Sequence, residues 1–126
     1  MQIRPTVPRI GIIVLLSTLL VFGAWMEVRA GKVAEVKIGN ILPLSGPSAS
    51  AGRQCRAAIE LATDSINAAG GIRSLGGARL VNVWADSRGE ASFGITAAEQ
   101  LIATDKVAVI SGAWNSAVTY PTTQVA

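Results

Sequence analysis

Two stretches of this sequence gather hydroxyls, small residues and glycine: Leu44-Ser45-Gly46-Pro47-Ser48-Ala49-Ser50-Ala51-Gly52 and Gly112-Ala113-Trp114-Asn115-Ser116-Ala117. Such residues suit binding rather than bond breaking. Hydroxyls and free backbone N–H groups receive an anionic group, and small side chains let it approach. Ser116 fits two compatible roles, a helix N-cap or a hydroxyl turned toward a ligand. Trp114 has two readings as well, the wall of a ligand pocket or the cover of a core.

Catalytic chemistries fall away one by one. The 126 residues include no His and one Cys, which removes Ser-His and Cys-His catalysis, His-ligated metals, cysteine zinc clusters and an intrachain disulfide. Leu42-Pro43-Leu44-Ser45-Gly46-Pro47 stands where a dinucleotide fingerprint would be, and neither a P-loop nor a Gly-x-Ser-x-Gly elbow occurs. Asp86 lacks the partner acids of a phosphoacceptor or metal site, so it reads as an exposed loop or capping residue. The expectation is a non-enzyme without cofactor or metal.

Charge argues against nucleic acid. The formal charge is +3, but Arg4, Arg9 and Arg29 stand against Glu27 alone in the first thirty residues, and the remainder holds 8 basic and 7 acidic residues. Those thirty residues read as an address. Arg4 and Arg9 precede the uncharged run Ile10 to Ala24, and Val28-Arg29-Ala30 supplies small residues at a cleavage site, the pattern of a secretory signal peptide over 1–30. A retained membrane anchor is the competing reading, although the run meets Glu27 slightly early for a span.

The elements that must position the two loops alternate along the chain. Val36 to Leu42 reads as a first strand that stops at Pro43. Cys55, Ala58, Ile59, Ala62, Ile66 and Ala69 form a helical apolar stripe ending at Gly70-Gly71, and this predicts a buried, inert Cys55 thiol. Leu80 to Ala85 reads as a second strand, with Trp84 in core or interface packing. Ser87-Arg88-Gly89-Glu90 matches a capping box, ahead of a helix whose face is Phe93, Ala97, Leu101 and Thr104, with Ala98 and Ile102 beside them. Val107 to Ser111, apolar without alternation, suits a central parallel strand. A third helix is expected from about Ala117, with Pro121 near its first turn. Three β-α units in series predict an α/β fold with a doubly wound parallel sheet, whose ligands bind beyond the carboxyl ends of the strands. The last residues lie inside a helix pattern without a stop signal, so a truncated chain with an unpaired sheet edge is expected. The 126 residues alone should aggregate or stay molten.

Ile38-Gly39-Asn40-Ile41-Leu42-Pro43-Leu44-Ser45-Gly46-Pro47, Gly52, the helix ending Ile66-Asn67-Ala68-Ala69-Gly70-Gly71-Ile72, the strand Leu80 to Asp86, and Ile110 to Thr119 come in that order. This ordered set resembles the branched-chain amino-acid-binding proteins of ABC importers. The resemblance implies a type I periplasmic-binding fold in which residues 31–126 form an incomplete N-terminal lobe, the first three β-α units of a two-lobed solute receptor. It implies that Ser116 offers its hydroxyl and backbone to a ligand's α-carboxylate, with Asn115, Ala117 and Trp114 in the same half-site and Ser45 and Ala51 in the neighbouring loop. The resemblance places an aromatic or small residue before the loop's Gly, beside the ligand; Ala51 stands there, can neither stack nor donate, and leaves more room. Gly89 and Asn115 stand near the places where some members carry a disulfide.

The expectation is thus an exported, periplasmic binding protein for an amino acid, amide or related small polar solute. It would pass its ligand to an ABC transporter permease and meet the membrane only through its signal peptide or that permease. Two alternatives remain at this stage: an extracytoplasmic ligand-sensing domain of a membrane receptor, and an enzyme on the same fold with its catalytic residues elsewhere.

Overall fold

The computed structural model describes residues 34–125, so the signal-peptide expectation for 1–30 lies outside the described residues. Glu35–Leu42 forms β1, followed by α1 (Ala49–Ala68) and a short 3-10 turn at Arg73–Leu75. Then come β2 (Arg79–Asp86), α2 (Ala91–Gln100) with a wide π-type continuation at Leu101–Asp105, β3 (Val109–Gly112) and α3 (Ser116–Thr122). Both partners of β1 run parallel to it. Glu35 to Leu42 pair in register with Arg79 to Asp86, and Ile38 to Ile41 with Val109 to Gly112, which gives the order β2-β1-β3. The α/β parallel arrangement is as expected, and it puts all three carboxyl ends on one edge. The central strand, however, is β1. Val109 is half exposed, and the outer side of β3 meets no strand among the described residues.

Strand alternation sends successive side chains to opposite faces of the sheet. Ile41 with Val83 and Ala85 faces Ala97, Ala98 and Leu101 of α2 and its continuation, and Val118 of α3; Ala113, Val107 and Ile110 complete this apolar core. The buried face of α2 is therefore Gly94, Ala97, Ala98 and Leu101, whereas Phe93, Ile102 and Thr104 of the expected face are exposed. Phe93 instead lies under the Arg88 guanidinium, 4.2 Å from ring centroid to charge.

The opposite face of the sheet sets Asn40 and Asn82 among Ile38, Leu42, Leu80 and Trp84, and these amides turn α1 away from the expected orientation. Asn40 Nδ2 donates to Asn82 Oδ1 at 3.0 Å, and Asn82 Nδ2 donates to Thr63 Oγ1 at 2.9 Å. Asn67 of α1 brackets Leu80 of β2, accepting from its N–H at 2.8 Å and donating to its carbonyl at 2.9 Å. Arg56 places its guanidinium 4.8 Å from the Trp84 ring centroid and bonds Glu60 at 2.8 Å, so Trp84 is half-buried interface. Buried amides demand partners. The helix therefore presents Gly52, Arg56, Thr63 and Asn67 to the sheet, and most of the apolar stripe is left outward, with Ala58, Ala62, Ile66 and Ala69 exposed and Cys55 and Ile59 half buried.

Two boundary expectations also change. Arg88 and Gly89 both take left-handed φ values, 54° and 81°, so Ser87 to Glu90 forms a turn rather than a capping box. The helix begins only after Glu90, whose side chain makes no capping bond. Because α3 starts at Ser116, Pro121 falls inside it, where its missing N–H forgoes the bond to the Ala117 carbonyl.

Candidate functional site

Beyond the carboxyl edge, the first two loops are built as one piece. Pro43 is fully buried at the end of β1, and α1 starts so close to it that a Cβ on Gly52 would stand 2.1 Å from the Pro43 carbonyl oxygen. Only glycine permits that approach. Helix α1 takes in Ala49 to Gly52, so Ala51 sits in its first turn, half buried, rather than in the loop. Ser45 is exposed, but its hydroxyl is engaged, donating to Asp86 Oδ2 at 2.6 Å.

Asp86 does act as a loop-capping carboxylate, but sequence reasoning missed the partners it gathers. Its Oδ1 accepts from the N–H groups of Leu44 at 2.8 Å, Ser45 at 3.2 Å and Arg88 at 2.8 Å, in addition to the Ser45 hydroxyl on Oδ2. Burial pushes this carboxyl up, but the Ser45 hydroxyl and the three amides outweigh it and hold it below the ordinary value of 3.8. The sequence signal was thin. An Asp ending a strand gives no hint that its partners lie 41 and 42 positions earlier.

The third loop is tied to itself. Asn115, and not Ser116, caps α3: its Oδ1 accepts from Ala117 N–H at 2.9 Å. Thr119 Oγ1 donates to the Asn115 carbonyl at 3.0 Å and accepts from Ala113 N–H at 3.2 Å, which fixes the loop from inside the helix. These bonds use the Asn115 side chain and the Ala117 N–H. The Ser116 hydroxyl is exposed and bonds no other described residue. Trp114 is 53% exposed with φ at 72°, so it covers no core, and its backbone sits in a region that a bulky residue seldom adopts.

The strand register places the third loop beside the first, since Ile41 pairs with Gly112 and Leu42 with Asp86. The six candidate residues thus share one edge in two groups: Ser45 and Ala51 in one, Trp114, Asn115, Ser116 and Ala117 in the other. A cavity of about 90 Å³ lies lower, lined by Ile41, Ile110, Gly112, Ala113, Thr119, Thr122 and Thr123, and none of the six contributes to it. Among the described residues no three His, Cys, Asp or Glu side chains cluster as metal ligands would. No helix among them is long and apolar enough to cross a membrane. What the edge offers is hydroxyl and backbone hydrogen bonding on a rigid frame.

Comparison with known proteins agrees with this architecture. Residues 35–126 match the periplasmic binding protein family. The Leu/Ile/Val-binding protein homolog 3 of Brucella melitensis is 35% identical over 104 residues, covering 82% of this chain and 27% of the relative. The Leu/Ile/Val-binding protein BraC3 of Rhizobium johnstonii is 36% identical over 92 residues, 73% of this chain and 24% of its own. Among solved structures, the branched-chain amino acid transporter substrate-binding protein LivJ of Streptococcus pneumoniae, in complex with isoleucine, superimposes with a TM-score of 0.67 at 30% identity. That superposition covers 72% of this chain and 25% of LivJ. The chain spans about a quarter of the length of these relatives. With its parallel β-α units, its strand order and a family match that runs through almost every described residue, the chain belongs to the periplasmic binding protein family, with the type I fold.

Proposed function

We propose that this chain is the opening part of the first lobe of an exported, two-lobed solute receptor for an ABC importer, binding an amino acid, amide or related small polar solute. One observation carries the reading: Asn115 caps α3 and leaves the exposed Ser116 hydroxyl without a partner among the described residues, at the carboxyl edge where such sheets take ligands. Family membership and relatives named for Leu/Ile/Val binding support the ligand class. Ser116 receives a carboxylate oxygen, Asn115 and Ala117 hold it in place, and Trp114 offers an apolar wall. Ala51, with no ring to stack, leaves room for the ligand side chain. The relatives are binding proteins, which supports a role in capture and delivery to a permease rather than turnover.

Calorimetric titration of the whole receptor with the common amino acids and their amides tests this reading. Saturable binding of at least one amino acid, unaccompanied by its chemical conversion, is expected. Failure of all of them to bind, or conversion of one, would overturn it.

A further inference from the structure

Asp86 accepts four hydrogen bonds from two different loops, and no role in ligand contact accounts for them. Three come from the β1–α1 loop, through Leu44 N–H, Ser45 N–H and the Ser45 hydroxyl, and one comes from the β2–α2 turn, through Arg88 N–H. A second contact joins the same two segments: a Cβ built on Gly46 would lie 3.0 Å from the Arg88 carbonyl oxygen. Leu42, in register with Asp86, adds a third tie by accepting from Ser87 N–H at 2.9 Å. Charged acceptors make the stronger class of hydrogen bond, and several on one carboxylate fix the donors relative to each other.

We propose that Asp86 is a positioning residue that locks the β1–α1 loop to the β2–α2 turn, and that Ser45 serves this lock as its tie instead of contacting the ligand. The lock itself is independent of what binds. Its consequence for affinity rests on the functional reading above, because the same loop leads directly into Ala51 and the first turn of α1. Ser45 has one hydroxyl proton, and at 2.6 Å from Asp86 Oδ2 that proton is committed.

Amide hydrogen exchange of the full-length protein without ligand is the test. In Asp86→Asn, the Ser45 and Arg88 amides should exchange at least about tenfold faster, as expected when a local opening loses its restraint, while the Ile38 to Ile41 amides of β1 keep their protection. Ser45→Ala should speed exchange at Arg88, a residue it does not touch, and Ser45→Thr should restore it. Should Asp86→Asn not fold, the Ser45 pair still decides. Unchanged exchange at Arg88 in Ser45→Ala, or at Ser45 and Arg88 in Asp86→Asn, would overturn the proposal. Titration with L-leucine forms a separate arm. Wild type and Ser45→Thr should bind alike and Ser45→Ala more weakly. Weaker binding of Ser45→Ala with exchange unchanged would make Ser45 a ligand contact and refute the lock. A wild-type protein that ignores L-leucine, like the other amino acids and amides, counts against the functional reading, and the exchange result alone then decides the lock.

Discussion

At the scale of single residues, three positions carry separable loads. Ser116 presents an exposed hydroxyl with no partner among the described residues, so on the proposed reading Ser116→Ala in the full-length protein should weaken solute binding by about 1 to 3 kcal/mol, the cost of a lost bond to a charged group. Calorimetric affinity checks it, with the melting temperature of the empty protein unchanged. Gly52 meets the Pro43 carbonyl so closely that Gly52→Ala should cost about 1 to 3 kcal/mol in urea unfolding, because the backbone of either α1 or β1 must move. Asp86 has its folded pKa below the ordinary 3.8, so its stabilisation is complete above that value and disappears as pH falls through the lower folded one. The stability gap between wild type and Asp86→Asn should therefore shrink when urea unfolding at pH 6 is repeated at pH 3. A gap of constant size would contradict the hydrogen-bond assignment.

At the scale of elements, the strands and helices were legible in the sequence to within a few residues, because strand composition, helical spacing and glycine stops are local signals. Val36 to Leu42 became Glu35–Leu42, and Leu80 to Ala85 became Arg79–Asp86. Orientation was less legible. The apolar stripe of α1 pointed to one face, yet Asn40 and Asn82 on the sheet demand polar partners, and Thr63 and Asn67 supply them. A pattern within one helix cannot report what its neighbour requires. The same holds for Ser87 to Glu90, where two left-handed residues displaced a sound capping pattern. Strand order alone placed the loop residues at the carboxyl edge, but which hydroxyl lacks a partner among the described residues was not readable. Ser45 is bound by Asp86 and Ser116 is spared by Asn115. Leu101, fully buried between β1 and the helices, is the strongest single test of the core, and Leu101→Ala should destabilise the whole receptor by about 2 to 5 kcal/mol in chemical denaturation.

At the scale of the molecule, the described residues 34–125 belong to one compact unit whose surface retains large apolar side chains: Leu61 at 70%, Tyr120 at 74% and Val109 at 52% exposure. Exposed apolar area of this kind marks surfaces that associate. Expressed by itself, this segment should aggregate or bind a hydrophobic dye without a cooperative melting transition, and a sharp two-state transition would show that three β-α units suffice. The central claim concerns the carboxyl edge, where Ser116 is proposed to receive the carboxylate of an amino-acid ligand. The most direct measurement compares, in the whole receptor, calorimetric binding of whichever amino acid binds most tightly with that of the matching amino alcohol, which lacks the carboxylate. Wild type should prefer the acid by about tenfold or more, and Ser116→Ala should lose most of that preference, as removal of a bond to a charged group requires. Equal binding of acid and alcohol by the wild type, or a preference that survives in Ser116→Ala, would contradict the account.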